Sequence, residues 1–414
     1  MGVFKYSKVD CIFTYLGLAF LMLDICLDVG AAVTFYQEEK YVSLGILLLF
    51  LLGSSAVVQV YSWLWYTYDN FHMVTKVENS LGRLQLKILH FFQLGTYFRH
   101  AGVVEITSCR CITKVQDTEG IAVYLTHDLS MLRLIETFSE SAPQLVLMLT
   151  IILRQGQLDP MTVMKAVGSA SAIALSVTMY HRSLRSFLPD KQEQRIISSL
   201  IFFTWNLLLI ASRLTALALF ASVLPCFIFT HFICSWLFLF FSAWRSKTDF
   251  MESPGGEWLY RATVGLIWYF NWFSVVEGRT RYKTLFYHSF ILVDMFLLCG
   301  MWCWRMHSQP PSFKIPFLHA SITSVSVVAL YILGLILKVI YYMYQHPNLN
   351  KEGLKGDHAS AEEKIDIDID GGGGGDVTVR SFMADDVVDG RTPTQAVRQL
   401  YNKRMRKLAE NFYS

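Results

Sequence analysis

The stretch ISSLIFFTWNLLLIASRLTALALFASVLPCFIFTHFICSWLFLFFSAWR, residues 197–245, contains two charged side chains, Arg213 and Arg245. A helix needs about 20 mainly apolar residues to cross the hydrocarbon core of a bilayer. The stretch is therefore long enough for two consecutive spans, about 197–222 and 223–245. Because a soluble domain has no room to bury so long an apolar run, the stretch predicts a membrane-spanning fold.

The composition of the whole chain predicts the same class of protein. Hydrophobic residues make up 53% of the 414 residues and charged residues 17%, whereas soluble globular proteins are roughly 25% charged. The length criterion for a span, applied along the chain, predicts eight spans. In order, they cover about 12–36, 41–66, 128–153, 161–182, 197–222, 223–245, 285–304 and 316–344.

Two further apolar segments are too short or too interrupted to span. Segment 84–98 contains Lys87 and segment 258–275 contains Arg261, so each is predicted to be a re-entrant half-helix. The order span, span, half-helix, span, span then occurs twice, which predicts two pseudo-symmetric repeats. The predicted fold class is an all-α polytopic membrane protein with eight transmembrane helices and two re-entrant half-helices. The predicted domains are the membrane repeats 1–190 and 191–345, a disordered acidic tether 346–390 and a basic amphipathic helix 391–414.

Basic side chains indicate which loops face the cytoplasm. They are concentrated in segments 67–127, 183–196 and 246–284. They are sparse in the alternate loops, which follow the first, third, fifth and seventh predicted spans. Cytoplasmic loops of membrane proteins carry an excess of Lys and Arg. Eight spans with both termini in the cytoplasm place all three basic segments on the cytoplasmic side.

Charged residues within the predicted spans require an explanation, because each costs about 2.5–3.5 kcal/mol at the bilayer centre. They recur at three- and four-residue spacing, which places them on one face of a helix. We name one set of five the polar furrow; it consists of Asp24, Asp28, Arg133, Glu136 and Glu140. Pro143 follows this set, and it is expected to distort the helix there because proline lacks a backbone donor.

Two interpretations of these charges are open. Either they form buried ion pairs that hold the helices together, or the polar furrow carries lipid headgroups, ions or polar solutes across the membrane. The chain has no nucleotide-binding loop and no Ser-His-Asp signature in a credible context, so we expect passive transfer and no enzyme activity. Cys109 and Cys111 lack the regular ligand spacing of a zinc site, so we expect no metal and no cofactor. We also expect no nucleic-acid partner.

The last part of the chain separates into two segments of opposite charge. Residues 351–390 carry a net charge of −7, and residues 391–414 carry +5. The basic segment is predicted to be an amphipathic helix, which lies on the anionic inner leaflet or docks on the cytoplasmic face of the membrane domain. Its apolar residues at helical spacing are Val397, Leu400, Tyr401, Met405, Leu408 and Phe412.

A candidate protease site lies between these two segments. Asp386-Val387-Val388-Asp389-Gly390 reads DxxD followed by glycine, which is the pattern that executioner (caspase-3-like) proteases prefer. Cleavage after Asp389 would release the basic helix. The sequence therefore predicts an inhibitory helix on a tether that a caspase can cut.

Several blocks of this sequence resemble the XK-related family. The similarity covers about 10–345 and includes the paired aspartates of the first span and the DxxD tail. The other blocks are DLSMLRLIETFSESAPQL (128–145), TDFM (248–251), EWLYRATVG (257–265) and FSVVEGRTR (273–281). The chain departs from the family pattern at Met179, where close relatives carry an acidic residue, and near Ser43, where they carry a bulky aromatic.

The resemblance implies a specific function. It implies a plasma-membrane phospholipid scramblase that exposes phosphatidylserine during apoptosis, after caspase cleavage of the tail. It also implies a single-pass immunoglobulin-superfamily partner, basigin or neuroplastin, and membrane phospholipids as the cargo. The lipid path that it implies consists of Asp24, Asp28, Arg99, Asp128, Arg133, Glu136, Glu140 and Arg213.

Two other classes of function fit the same sequence pattern. A small-solute or amino-acid transporter with a regulatory tail also has eight to ten spans and charges near the middle of the membrane. A structural subunit that chaperones or anchors a partner is a third candidate.

Overall fold

A computed structural model describes residues 8–71, 73–113, 119–155, 160–187, 196–246, 248–273, 280–308 and 317–345. In these ranges the chain is helical, with no β-strand. The structure therefore confirms the all-α class. The helices are α1 Lys8–Gln37, α2 Tyr41–Tyr68, α3 Lys76–Asn79, α4 Arg83–Phe91, α5 Gly95–Thr113, α6 Glu119–Glu136, α7 Ala142–Gln155, α8 Pro160–Phe187, α9 Ile196–Val223, α10 Phe227–Arg245, α11 Pro254–Phe270, α12 Thr280–Ser308 and α13 Phe317–Ile340.

Seven of the described helices are long and apolar enough to cross a membrane, namely α1, α2, α8, α9, α10, α12 and α13. They coincide with seven of the eight predicted spans, so the chain is a multi-pass membrane protein by length and hydropathy. The predicted span 128–153 falls on α6 and α7, whose polar residues keep it outside these seven. An eighth span and the re-entrant half-helices stay predictions.

Helix α9 lies at the centre of the bundle. In the 18-residue apolar segment of α9, 72% of the residues are buried, compared with 11–33% for the other six candidate spans. Helix α9 contacts α7, α8, α12 and α13. Small side chains such as Ser212, Ala216 and Ala218 are buried along it. Small residues let helix backbones approach closely in membranes, so α9 can contact several helices at once.

A π-helical turn, Thr137–Ser141, joins α6 to α7. Pro143 lies two residues after this turn and cannot donate a hydrogen bond to the carbonyl of Ser139. The hydroxyl of Ser139 bonds within the same helical run, since it donates to the carbonyl of Ile135 at 2.7 Å. The helix distortion expected near Pro143 is thus a π turn, and it lies within the polar furrow.

The predicted segment 84–98 is divided between α4 and α5. The break occurs at Gln93, whose φ of 62° lies in the left-handed region. The ring of His90 ties α4 to α2, because Nε2 accepts from the Ser62 hydroxyl at 2.9 Å, while Nδ1 donates to the Leu86 carbonyl of α4 itself at 2.8 Å. Burial lowers the pKa of His90, so the neutral ring that this hydrogen bond requires is the stable form at pH 7.

We predict that Gly95→Ala destabilises the protein. A Cβ at Gly95 would overlap the His90 ring, and two hydrogen bonds prevent the ring from moving away. Forced overlap in a packed interior costs about 1–3 kcal/mol, so the thermal unfolding temperature of the purified protein should fall. Gly53→Ala is the matched control, because a Cβ there meets no atom within 4 Å and Ala stabilises a helix by about 0.5–1 kcal/mol relative to Gly. Equal unfolding temperatures for the two variants would contradict the packing of His90 on Gly95.

Candidate functional site

Three carboxyl groups from two elements meet in what we name the acidic cluster. Asp24 and Asp28 lie one turn apart on α1, and Glu140 lies in the π turn; one oxygen of each lies within 4.8 Å of the others. Asp28 and Glu140 are buried and Asp24 is half-buried. The hydroxyl of Ser141 donates to Asp24 at 3.4 Å, so two successive residues of the π turn reach α1.

Electrostatic repulsion within the acidic cluster is substantial. Two unit charges 4 Å apart repel by about 4 kcal/mol at an effective dielectric constant of 20. The cluster therefore favours a proton, a cation or an organic ammonium group among its oxygens. Carboxylate oxygens are the usual ligands of hard divalent cations, so Asp24, Asp28 and Glu140 are the residues here that can hold one.

A cavity of about 60 Å³ lies between α1, α5, α6 and α8. Most of its lining is apolar, and we name it the polar cavity after the few polar side chains that face it. Arg133, Thr126 and Ser183 line it. Among the described residues, Arg133 Nη1 and the hydroxyls of Thr126 and Ser183 are buried and have no hydrogen-bond partner. Unpaired donors around an arginine in a confined space suit an anionic group such as a phosphate.

Arg133 connects the polar cavity to the acidic cluster. Its guanidinium attracts the carboxylates of Asp24 and Glu136 while lining the cavity. On the other side of the cavity, burial and then Arg133 lower the pKa of His100 to about 3, so this imidazole adds no positive charge at pH 7. The structure thus gathers all five residues of the polar furrow in one region.

A single face of α1, which we name the α1 stripe, follows this region through the membrane. Asp10, Thr14 and Gly17 line the polar cavity, and Asp24 and Asp28 belong to the acidic cluster. Successive residues of this set are three, four or seven positions apart in the sequence, so they share one side of the helix. At 1.5 Å per residue, the stripe is about 27 Å long, close to the roughly 30 Å thickness of a bilayer core.

Arg99 and Asp128 form a separate ion pair. Both are buried, with 3.8 Å between Arg99 Nη1 and Asp128 Oδ2. Arg99 also donates to the Ser62 hydroxyl at 2.8 Å and lies 3.8 Å from the ring centre of Tyr66. The pair therefore ties α5 and α6 to α2, which is the geometry of a structural contact.

Arg213 lies in the second half of the chain, away from the polar furrow. It pairs with Asp294 at 2.6 Å, and His231 Nε2 contacts the other carboxylate oxygen at 3.0 Å. Arg213 also donates to the carbonyl of Tyr269 at 3.2 Å. Ion pairs thus describe Arg99 and Arg213, and the interpretation of the polar furrow as a transfer path stays a prediction.

Two buried polar contacts were not among the predicted site residues. Arg182 Nη2 donates to Asp10 at 3.0 Å, and Lys338 Nζ donates to His288 Nε2 at 2.8 Å. Asp10 and Arg182 lie at the ends of predicted spans, where charges are ordinary, so the pattern held no signal for their pairing. Lys338 lies inside a predicted span, and that position was a usable signal.

The predicted features of the tail lie outside the described residues. They are the cleavage site at Asp386, Asp389 and Gly390, and the helix of Val397, Leu400, Tyr401, Met405, Leu408 and Phe412. Both stay predictions.

Comparisons with known proteins agree on one family. A family model described as XK-related protein matches residues 12–347. XK-related protein 8 of Tetraodon nigroviridis is 40% identical over 426 aligned residues, covering 100% of this chain and 98% of that protein. XK-related protein 8 of Gasterosteus aculeatus is 40% identical with 99% and 98% coverage. XK-related protein 8 of Pan troglodytes is 35% identical with 82% and 84% coverage.

We predict that removing one partner of the Arg213–Asp294 pair destabilises the protein. Asp294→Leu leaves a buried arginine uncompensated, which costs about 3–5 kcal/mol, so the unfolding temperature of the purified protein should fall sharply. The double variant Arg213→Met with Asp294→Leu should recover much of that loss, because an apolar pair replaces the ion pair.

Asp28→Asn provides the contrasting control. It removes a negative charge from the acidic cluster, so it should leave the unfolding temperature unchanged or raise it. A loss at Asp28 as large as that at Asp294 would show that the acidic cluster is itself a stabilising contact.

Proposed function

Since the chain belongs to the XK-related family, we propose that it is a phospholipid scramblase of the plasma membrane. It transfers lipids passively between leaflets, and it exposes phosphatidylserine after a caspase cuts its tail during apoptosis. The observation that carries this proposal is the arrangement of Arg133 and the acidic cluster along the α1 stripe. The resemblance of the sequence blocks to the family supports the same activity.

The charges along the stripe complement a phospholipid headgroup. Arg133 and the unpaired donors of the polar cavity bind the phosphate, and the acidic cluster binds an ammonium group. Both charged parts of a zwitterionic headgroup thereby find a partner within the membrane. The transfer needs no covalent step, because it only replaces headgroup hydration by protein contacts.

The position of α1 lets the lipid tails stay in the bilayer. In the 18-residue apolar segment of α1, 11% of the residues are buried. Much of the helix surface therefore faces outwards, including Leu23 and Leu27, which are exposed. Asp24 lies beside these residues and is half-buried. A headgroup at Asp24 would therefore sit at the boundary between protein and lipid.

The proposed topology has eight spans, two re-entrant half-helices, two repeats and cytoplasmic termini. The run 119–155 provides the eighth span, since its 37 residues would extend about 55 Å. Its polar residues are tolerable there because α2, α5 and α8 pack around it and Asp24 of α1 accepts a hydrogen bond from Ser141. The segments around α4 and α11 are the two half-helices, and both are too short to be among the seven candidate spans.

The tail is the proposed regulatory element. While attached, the basic helix 391–414 blocks the cytoplasmic end of the lipid path. Cleavage after Asp389 separates it from the membrane domain. A caspase-3-like protease is thus one partner, and a single-pass protein of the basigin or neuroplastin type is the other. The charge reversal between 351–390 and 391–414 supports this division of the tail.

A transporter of small cationic solutes or amino acids is the second candidate. The acidic cluster favours it, because three carboxyl groups within 4.8 Å suit an amine or a metal cation as well as a headgroup. The two functions differ in what crosses the membrane.

We predict that Asp389→Ala abolishes regulated exposure. In cells given an apoptotic stimulus, annexin V binding should depend on this protein and disappear in the variant, because the inhibitory helix stays attached. A chain truncated after Asp389 should bind annexin V on the cell surface without a stimulus. Exposure that persists in Asp389→Ala would exclude this cut as the switch.

We predict that Arg133→Met slows lipid transfer. The fluorescent-lipid accessibility assay on purified, caspase-treated protein in liposomes should show a decrease of about tenfold, equivalent to about 1.4 kcal/mol in the barrier. Arg154→Met is the matched control, because Arg154 lies exposed at the end of α7 and should have no effect. Saturable uptake of a solute, with no lipid transfer, would favour the transporter.

A further inference from the structure

Met179 of α8 lies directly against Gly17 of α1. A Cβ at Gly17 would stand 2.6 Å from Met179 Cε and 3.7 Å from Sδ. These distances mean that the end of the methionine side chain occupies the recess that glycine leaves on α1. Both residues line the polar cavity, as does Arg133.

This contact interrupts the α1 stripe near its middle. Gly17 lies between Thr14, which lines the polar cavity, and Asp24, which belongs to the acidic cluster. The neighbouring Leu21 is buried, with 3% exposure. A headgroup that follows the stripe therefore meets apolar atoms at Gly17, with polar groups before and after them.

The polar cavity is too small for a headgroup in the described conformation. Its volume of about 60 Å³ holds a few water molecules, each of which needs about 10–15 Å³ on this measure. A phosphoserine headgroup has about 11 non-hydrogen atoms, roughly twice the number of water molecules that this volume admits. Some side chain that lines the cavity must therefore move before a headgroup passes.

Met179 is the side chain that moves at the lowest cost. Methionine is unbranched and has three flexible side-chain bonds. By contrast, Arg182 is held by Asp10 at 3.0 Å and by the Ser199 hydroxyl at 2.8 Å. Rotation of Met179 away from Gly17 breaks only van der Waals contacts and enlarges the cavity next to Arg133.

We propose that Met179 is the gate of the polar furrow. When the methyl group of Met179 lies against Gly17, the furrow admits water and excludes headgroups. When the Met179 side chain rotates away, the furrow admits both. This inference rests on the proposed function, because it assigns the residue that controls passage through the same site. It also explains why α1 has a glycine at this point of the stripe, where any larger side chain would exclude the methionine.

The test compares lipid transfer rates of full-length variants in liposomes, before and after caspase treatment. Met179→Ala should raise the rate at least fivefold in one or both states, whereas Met179→Leu should not raise it, because leucine keeps the apolar bulk and is less flexible than methionine. Met164→Ala is the matched control, since Met164 lies on the same helix and is 63% exposed. Its rate should not change.

A double-variant comparison tests the contact itself. Gly17→Ala should lower the rate, because the new methyl group fills the recess and displaces Met179 into the cavity. In the Met179→Ala background the same substitution should have little effect, because the clashing atoms are gone. Independent, additive effects of the two substitutions would overturn the proposal, as would an unchanged rate in Met179→Ala.

A second readout separates this proposal from the proposed function. Ser176 lines the polar cavity, so Ser176→Cys places a thiol there. A water-soluble thiol reagent of headgroup size labels this cysteine, and peptide mass spectrometry measures the rate of labelling. Labelling should be faster when Met179→Ala is added. If no variant transfers lipid but labelling increases, the scramblase assignment fails and the gate stands. If labelling does not increase, the gate is wrong.

Discussion

The high cost of placing charge in a bilayer is the constraint on which this structure depends. Asp128, Arg133, Glu136 and Glu140 all lie in the helical run 119–155, and each would cost about 2.5–3.5 kcal/mol at the membrane centre. The run can lie within the bilayer only if other helices cover its polar side. Contacts of α6 with α2, α5 and α8, and of α1 with α2, α5 and α8, meet that requirement.

The charged groups meet this cost in two different ways. Arg99–Asp128, Arg182–Asp10 and Arg213–Asp294 are ion pairs between helices, in which each charge has a partner of opposite sign. The acidic cluster instead brings like charges together, and Arg133 has an unpaired donor within the described chain. Such an arrangement does not stabilise a fold. It is the observation on which the proposed binding of a charged headgroup rests.

The prediction of the fold succeeded where one helix carries all the information. Seven predicted spans correspond to apolar runs that reach the required length. The run 119–155 was located but its role as a span depends on neighbours that cover its charges. The division of segment 84–98 was missed, because Gln93 adopts a positive φ of 62° and glutamine carries no signal for that conformation.

The spacing of the charges predicted which of them share a helix face, and the role of the site residues stays a prediction. Spacing alone placed Asp24 with Asp28 and Glu136 with Glu140, and the structure brings these four together with Arg133. Spacing did not place Arg99 and Arg213 in this set. Only the resemblance to the family did. Their observed partners, Asp128 and Asp294, show that they belong to separate contacts.

The amino-acid sequence by itself determined which segments enter the membrane and which residues share a helical face, because hydropathy and the 3.6-residue period are properties of one helix. The tertiary structure alone decided which faces meet. Asp10 and Arg182 are 172 residues apart in the chain, and Gly17 and Met179 come together only because α1 and α8 are neighbours. Such contacts depend on how several helices pack together, and the sequence pattern of one helix does not determine that packing.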